Sequence, residues 1–198
     1  MSVSLDDVKR LKDLTGVGLS DAKNALVEAD GDFDKALEAM RKKGLTRAEK
    51  KGEREAREGL VDSYVHGGRI GVLVEINCET DFVARTDDFK NLVHDVAMHI
   101  AATSPQFISI DDVPAEERER VAGEFTDKVK GEGKPEAMVP QIVEGMLKKY
   151  FAEKCLLDQP FIKNPDQTVG GLVKDHVARL GENIVVRQMR RIELGVSE

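Results

Sequence analysis

Leu5, Val8, Leu11 and Leu14 recur every three residues, and charged residues fill most of the gaps. That spacing predicts an amphipathic helix. Ser4 would cap it, and Asp7 three positions on would complete a capping box. Gly16 and Gly18 interrupt the pattern. Ala22, Ala25, Leu26 and Ala29 then resume helical spacing behind Ser20, read as the next cap. Asp30-Gly31 reads as a turn. Asp32 caps a third helix through Ala36, Leu37 and Met40, and Gly44 is expected to end it. Three short helices in about 40 residues lie near the lower limit for a unit that folds alone. The run LTRAEKKGEREAREG opens with a second capping box, Thr46 and Glu49, and alternates acids with bases. It reads as a solvated connecting helix.

The period changes from 3.6 to 2 at Leu60. LVDSYVH, a Gly67-Gly68 pair and RIGVLVEINC form a hairpin signature. Ile70, Val72, Val74, Ile76 and Cys78 fall on one face, and Leu73 makes the other face partly apolar. Thr86 caps a helix striped with Phe89, Leu92, Val93, Val96 and Ile100, with Pro105 just beyond its end. Helices around 115–130 and 135–153 each carry proline at or near the start. Thr168 caps a last helix through Leu172, Val173 and Val177. ENIVVRQMRRIEL returns as a third strand. Two adjacent strands, several helices and a distant strand predict an α+β domain with a small antiparallel sheet covered by helices.

Composition narrows the function. The 198 residues are 40% hydrophobic and 34% charged, a globular balance. A net charge of −7 argues against nucleic acid as a direct partner, because phosphate contacts need surplus Lys and Arg. Cys78 and Cys155 sit in apolar contexts and are expected to be reduced and buried. No apolar run approaches a membrane span, and the first residues lack a signal peptide's basic start and apolar stretch. The expected location is the cytoplasm.

Several chemical motifs fail on inspection. Asp30, Asp32 and Asp34 imitate a calcium loop, but Lys35 replaces its glycine and Arg41 its bidentate glutamate. GEGKPE at 131–136 lacks the spacing of a phosphate loop. Gly16-Val17-Gly18 follows no strand, so it is no dinucleotide fingerprint. His66, His94, His99 and His176 match no metal spacing, and no metal or cofactor is expected. His66 falls at the hairpin tip, where it is free to make a contact; the other three read as helix residues. Tyr64 reads equally as core or interface. What stays unexplained is NCETDFVART, residues 77–86. It places Phe82 beside Asp81 in a connection, in a chain with seven phenylalanines and no tryptophan. Phe82 either tucks beneath the following helix or protrudes as an anchor for a partner.

Longer segments carry a resemblance. VKRLKDLTGVGLSDAKNALVEADGDFDKALEAMRKKG, GLVDSYVHGGRIGVLVEINCETDFVAR, HIAATSPQFISIDDVP, VEGMLKKYFAE, LLDQPFIKN and GENIVVRQMRRIELG run in order over nearly the whole chain. Together they resemble the bacterial elongation factor Ts family, guanine-nucleotide exchange factors of elongation factor Tu. The resemblance implies a ubiquitin-associated-like three-helix domain over 1–50 and a core, dimerisation domain over 51–198. It implies that Gly16, Val17, Gly18 and Leu19 rest on elongation factor Tu. Thr80, Asp81, Phe82 and Val83 fall on the family segment that dislodges Mg²⁺ from that partner, which favours the anchor reading of Phe82. Longer members carry the core unit twice with a coiled-coil insertion. Short members resemble this chain and act as symmetric homodimers, so the contact made by His66 carries over less directly. The resemblance implies exchange without covalent chemistry. A pure adaptor acting through the front domain is a second class. A carboxylate-metal hydrolase is a third, without a suitably spaced acidic pair.

Overall fold

The computed structural model describes residues 3–15, 17–52 and 54–196. Three helices come first: α1 (Leu5–Thr15), α2 (Leu19–Glu28) and α3 (Phe33–Lys51). The apolar spacing becomes their shared core of Val8, Leu11, Ala22, Ala25, Leu26, Ala36 and Met40. The Ser4 hydroxyl accepts the Asp6 N–H at 3.2 Å, and Asp32 caps α3 by accepting the Lys35 N–H at 3.1 Å. Asp30 and Gly31 take positive φ between α2 and α3, the left-handed turn that Asp-Gly favours.

Two expectations are corrected here. The N-cap of α2 is Gly18, not Ser20, and it caps without a side-chain bond. Ser20 lies inside the first turn. Gly44 does not end α3, which runs on to Lys51 and absorbs the first part of the expected connecting helix; the helix does not continue through the rest of that run. An interior glycine costs only about 1 kcal/mol relative to alanine, and the strong helix formers after it outweigh that. The Thr46 and Glu49 side chains lie outside the described residues, as does Gly16.

Strands β1 (Glu58–His66) and β2 (Ile70–Cys78) form the expected hairpin. Gly67 and Gly68 both have positive φ, and the Arg69 N–H donates to the His66 carbonyl at 3.0 Å. A primed two-residue turn of this kind matches the twist of the strands it joins. Along β2, Val72, Val74, Ile76 and Cys78 are buried, whereas Leu73 is exposed. Strand β5 (Val185–Glu193) completes the sheet in the order β1-β2-β5. The Leu194 N–H donates to the Arg69 carbonyl, while Arg187 near the other end of β5 bonds Asn77 near the end of β2. The two strands therefore run in opposite directions.

The remaining elements are α4 (Asp81–Ala84), α5 (Asp87–Thr103), α6 (Ala115–Gly131), α7 (Val139–Lys154), β3 (Pro160–Phe161), β4 (Asn164–Thr168) and α8 (Val169–Leu180). Phe89, Leu92, Val93, Val96 and Ile100 of α5 are all buried, as their spacing predicts. Pro114 caps α6, and Pro140 sits in the first turn of α7. The small β3–β4 hairpin has no counterpart in the sequence reading. Its two-residue strand and the proline in each strand give no alternation to detect. The fold is α+β.

The chain divides into two compact units. One comprises 1–62, 74–95 and 171–187; the other comprises 63–73, 96–170 and 188–198. Within the second, His99 is fully buried. Its Nδ1 accepts the Ile162 N–H at 3.3 Å, and its Nε2 faces Gln159 Oε1 at 2.9 Å. These bonds fix the neutral tautomer. Burial holds the imidazole pKa below its ordinary value, although the Gln159 bond opposes the shift. Cys78 and Cys155 are buried and free. Burial, chiefly, pushes each thiol up to about 11, so neither is poised as a nucleophile.

Candidate functional site

Asn77 to Thr86 link the end of β2 to α5. The connection is a single helical turn, α4, with Thr80 as its N-cap in extended geometry. Ala84 is buried beneath the turn, and Thr80, Asp81 and Val83 are partly covered. Phe82 points away from the protein and is 79% exposed. The core reading of Phe82 is thereby overturned. In so short a helix Ala84 takes the inward position, and Phe82, two residues earlier, must point elsewhere.

The turn is held from several sides. Glu182 Oε2 accepts the N–H groups of Glu79 at 3.1 Å and Thr80 at 2.9 Å. Its Oε1 accepts the Thr80 hydroxyl at 2.6 Å. The Cys78 thiol, kept protonated by burial and by the Glu182 charge, donates to the Thr80 carbonyl at 3.2 Å. On the far side Thr86 donates to the Val83 carbonyl at 2.8 Å and accepts the Phe89 N–H at 3.2 Å. One threonine thus closes α4 and opens α5. Asp81 pairs with Arg85 at 2.8 Å, four residues on, and its side chain remains 44% exposed.

The four residues of the expected segment therefore differ in role. Phe82 presents a bare ring, and Asp81 presents a carboxylate beside it. The Thr80 hydroxyl is consumed within the protein, and Val83 is half-buried. Sequence reasoning missed Glu182, Asn183, Arg54 and Arg85. The Asn183 N–H donates to Glu79 Oε1 at 2.7 Å, and its side-chain amide donates to the Arg54 carbonyl at 2.7 Å. Arg54 approaches Glu79 at 3.6 Å. A usable signal existed: Glu79 follows β2 and Glu182 precedes β5, and antiparallel neighbours bring those ends together.

The other expected contact residues lie on other elements. Val17 packs partly against the three-helix core, Gly18 caps α2, and Leu19 opens α2 and is largely exposed. Leu5, Leu14 and Val27 are also exposed on these helices. His66 is exposed at the hairpin tip, where it stacks on Tyr64 and meets the Tyr64 hydroxyl at 3.1 Å. Among the described residues, no three His, Cys, Asp or Glu side chains are grouped to hold a metal ion. No described helix is long and apolar enough to cross a membrane.

Comparison with known proteins converges on one family. The family model described as "Elongation factor TS" matches residues 42–196. Elongation factor Ts of Heliobacterium modesticaldum is 53% identical over 189 residues, covering 95% of this chain and 88% of that protein. Elongation factor Ts of Caldanaerobacter subterraneus is 50% identical over 194 residues, covering 98% of this chain and 97% of that protein. Elongation factor Ts of Acetivibrio thermocellus is 52% identical over 194 residues. With the family model covering most of the chain and relatives matched almost end to end, the chain belongs to the elongation factor Ts family.

Proposed function

We propose that the chain is a translation elongation factor that binds elongation factor Tu in its GDP form, dislodges Mg²⁺ and promotes exchange of GDP for GTP. The observation that carries this reading is Phe82, an exposed aromatic ring on a one-turn helix braced on both sides. Family membership supplies the partner.

Exchange of this kind needs no acid, base or nucleophile. A GTPase holds GDP through phosphate-loop amides and Mg²⁺. A factor that binds the nucleotide-free state more tightly than the GDP state must weaken GDP binding by the same ratio. The differential contact has to come from a rigid projection. Phe82 supplies apolar area that can enter between packed elements near the metal. Asp81 supplies an acceptor that can redirect the groups holding the ion. A lone carboxylate is a poor Mg²⁺ site, so repositioning is the better account than chelation.

The remaining surfaces serve docking. Val17, Gly18 and Leu19, with Gly16, would rest on elongation factor Tu as part of a ubiquitin-associated-like domain over 1–50. The core domain over 51–198 would carry the wedge, and His66 would add a contact at the hairpin tip. The open face of the sheet, with Leu73, Ile192 and Leu194 exposed, favours a homodimer. The setting is the cytoplasm.

The test is release of labelled GDP from elongation factor Tu with and without this protein. Accelerated release that depends on factor concentration is expected. Binding without acceleration would leave an adaptor role, which the exposed leucines of the front helices would equally serve.

A further inference from the structure

We propose that Glu182 is a positioning residue for exchange, a latch that sets the aim of Phe82; the proposal rests on the wedge reading of that ring. An α4 of four residues cannot hold its own orientation, because so short a helix lies below the length at which helices persist alone. Its cap bond is weak: the Val83 N–H lies 3.5 Å from the Thr80 hydroxyl oxygen. What fixes that hydroxyl is Glu182 Oε1 at 2.6 Å. By accepting the hydrogen bond from the Thr80 hydroxyl, Glu182 leaves a lone pair of Thr80 free to face Val83. By accepting two successive N–H groups, it also fixes the backbone immediately before the wedge. Hydrogen bonds to a carboxylate are shorter and stronger than neutral ones, so three on one side chain form a stiff joint.

Glu182 is itself held. Its neighbour Asn183 donates its N–H to the Glu79 carboxylate, while Glu182 accepts the Glu79 N–H. The end of β2 and the start of β5 thus grip each other reciprocally. Asn183 is buried and further tied to the Arg54 and Gly52 carbonyls. The latch therefore transmits the rigidity of the sheet to a residue that is mostly exposed to solvent in the free protein. Thr80 becomes part of this joint rather than a contact with the partner.

The test is GDP release from elongation factor Tu over a range of factor concentrations, for wild type, Glu182→Ala, Glu182→Gln, Phe82→Ala and the Glu182→Ala/Phe82→Ala double variant. Glu182→Ala should lower the maximal release rate on the order of tenfold and leave the half-saturating concentration within about twofold, since docking surfaces elsewhere persist. Glu182→Gln should recover most of the rate, because its amide oxygen can accept both N–H groups and its amide nitrogen can donate to the Thr80 hydroxyl oxygen. In the Phe82→Ala background, Glu182→Ala should add little, since a latch acts only through what it aims. If Glu182→Ala fails to fold, Glu182→Asp takes its place, keeping the charge but falling one methylene short. Two results overturn the latch while leaving the wedge intact: a folded Glu182→Ala at the wild-type rate beside a slow Phe82→Ala, or losses that multiply fully in the double variant. A Phe82→Ala protein at the wild-type rate overturns the wedge reading first, and the latch with it.

Discussion

Truncating Phe82 to alanine separates a wedge from a core residue by magnitude. Phe82 is 79% exposed in the free protein. A phenylalanine offers roughly 200 Å², so folding covers only about 40 Å² of it. At about 25 cal/mol per Å² that burial contributes about 1 kcal/mol, and alanine's better helix propensity returns part of it. For a chain of this size, about 1 kcal/mol moves the melting temperature by roughly 2–4 °C. A core phenylalanine would cost about 3–5 kcal/mol, or roughly 6–20 °C. The free Phe82→Ala protein should therefore melt within a few degrees of wild type.

The partner should register the larger effect. About 160 Å² of ring remains to be covered on docking, worth up to about 4 kcal/mol. Association recovers only part of such area. If the recovered part appears only in the state that has released nucleotide, release should slow by roughly tenfold to a thousandfold. The assay is release of labelled GDP from elongation factor Tu at saturating factor, beside thermal melts of the free proteins. A variant that melts far below wild type, or that exchanges at the wild-type rate, refutes the wedge.

Four further outcomes are expected. Asp81→Ala should slow GDP release at ordinary Mg²⁺, and the difference from wild type should shrink when Mg²⁺ is low enough to empty the metal site. Its melting temperature should hardly move, because the exposed Asp81–Arg85 pair is worth only about 0.3–0.5 kcal/mol. Deleting residues 1–50 should weaken binding to elongation factor Tu strongly yet leave exchange at high concentration, since Gly52 and Arg54, which anchor Asn183, survive the cut; unchanged affinity would remove the docking role of residues 16–19. Light scattering at tens of micromolar should give a dimer, and Leu73→Glu should convert it to monomer. Stability should be fully present above pH 6.5, the ordinary histidine value, and fall as the solution is acidified below it. Burial lowers the folded-state pKa of both His99 and His176, so the unfolded chain binds the extra protons. Melts from pH 7 to 5 should show a smaller loss for His99→Gln than for wild type.

Legibility in the sequence followed the reach of the interactions. Helices with repeating apolar positions were readable because each turn carries its own evidence, and the Gly67-Gly68 turn announced the hairpin through a backbone need that few other residues meet. Gly44 misled because a glycine read locally as a stop was overridden by the helix formers on either side. Phe82 could not be assigned from spacing, since one apolar residue after a strand fits an inward or an outward position equally well. What decided it was Ala84 filling the inward position. Glu182 was missed for a different reason: its partners lie about a hundred residues away, at 79 and 80. Only the pairing of β2 with β5 makes them neighbours.

An exposed phenylalanine is a cost to the free protein, since ring area that could be buried stays in water. On the proposed wedge reading, the surrounding joints make that cost useful. If α4 were loose, Phe82 could fold back against the nearest apolar surface, and docking would first have to pull it out. The Glu182 bonds in front, the Cys78 thiol beneath and the Thr86 bonds behind leave α4 little freedom to do so. The ordering entropy is then met during folding rather than at the partner. Binding energy from the ring is left for the one place where it differs between the GDP-bound and nucleotide-free partner. By linkage, only that difference can loosen GDP. A stiffer mount therefore converts the same ring into faster exchange without tighter docking to the GDP-bound state. This is why variants in the mount should change the maximal rate while variants on the docking surfaces change the concentration at which it is reached.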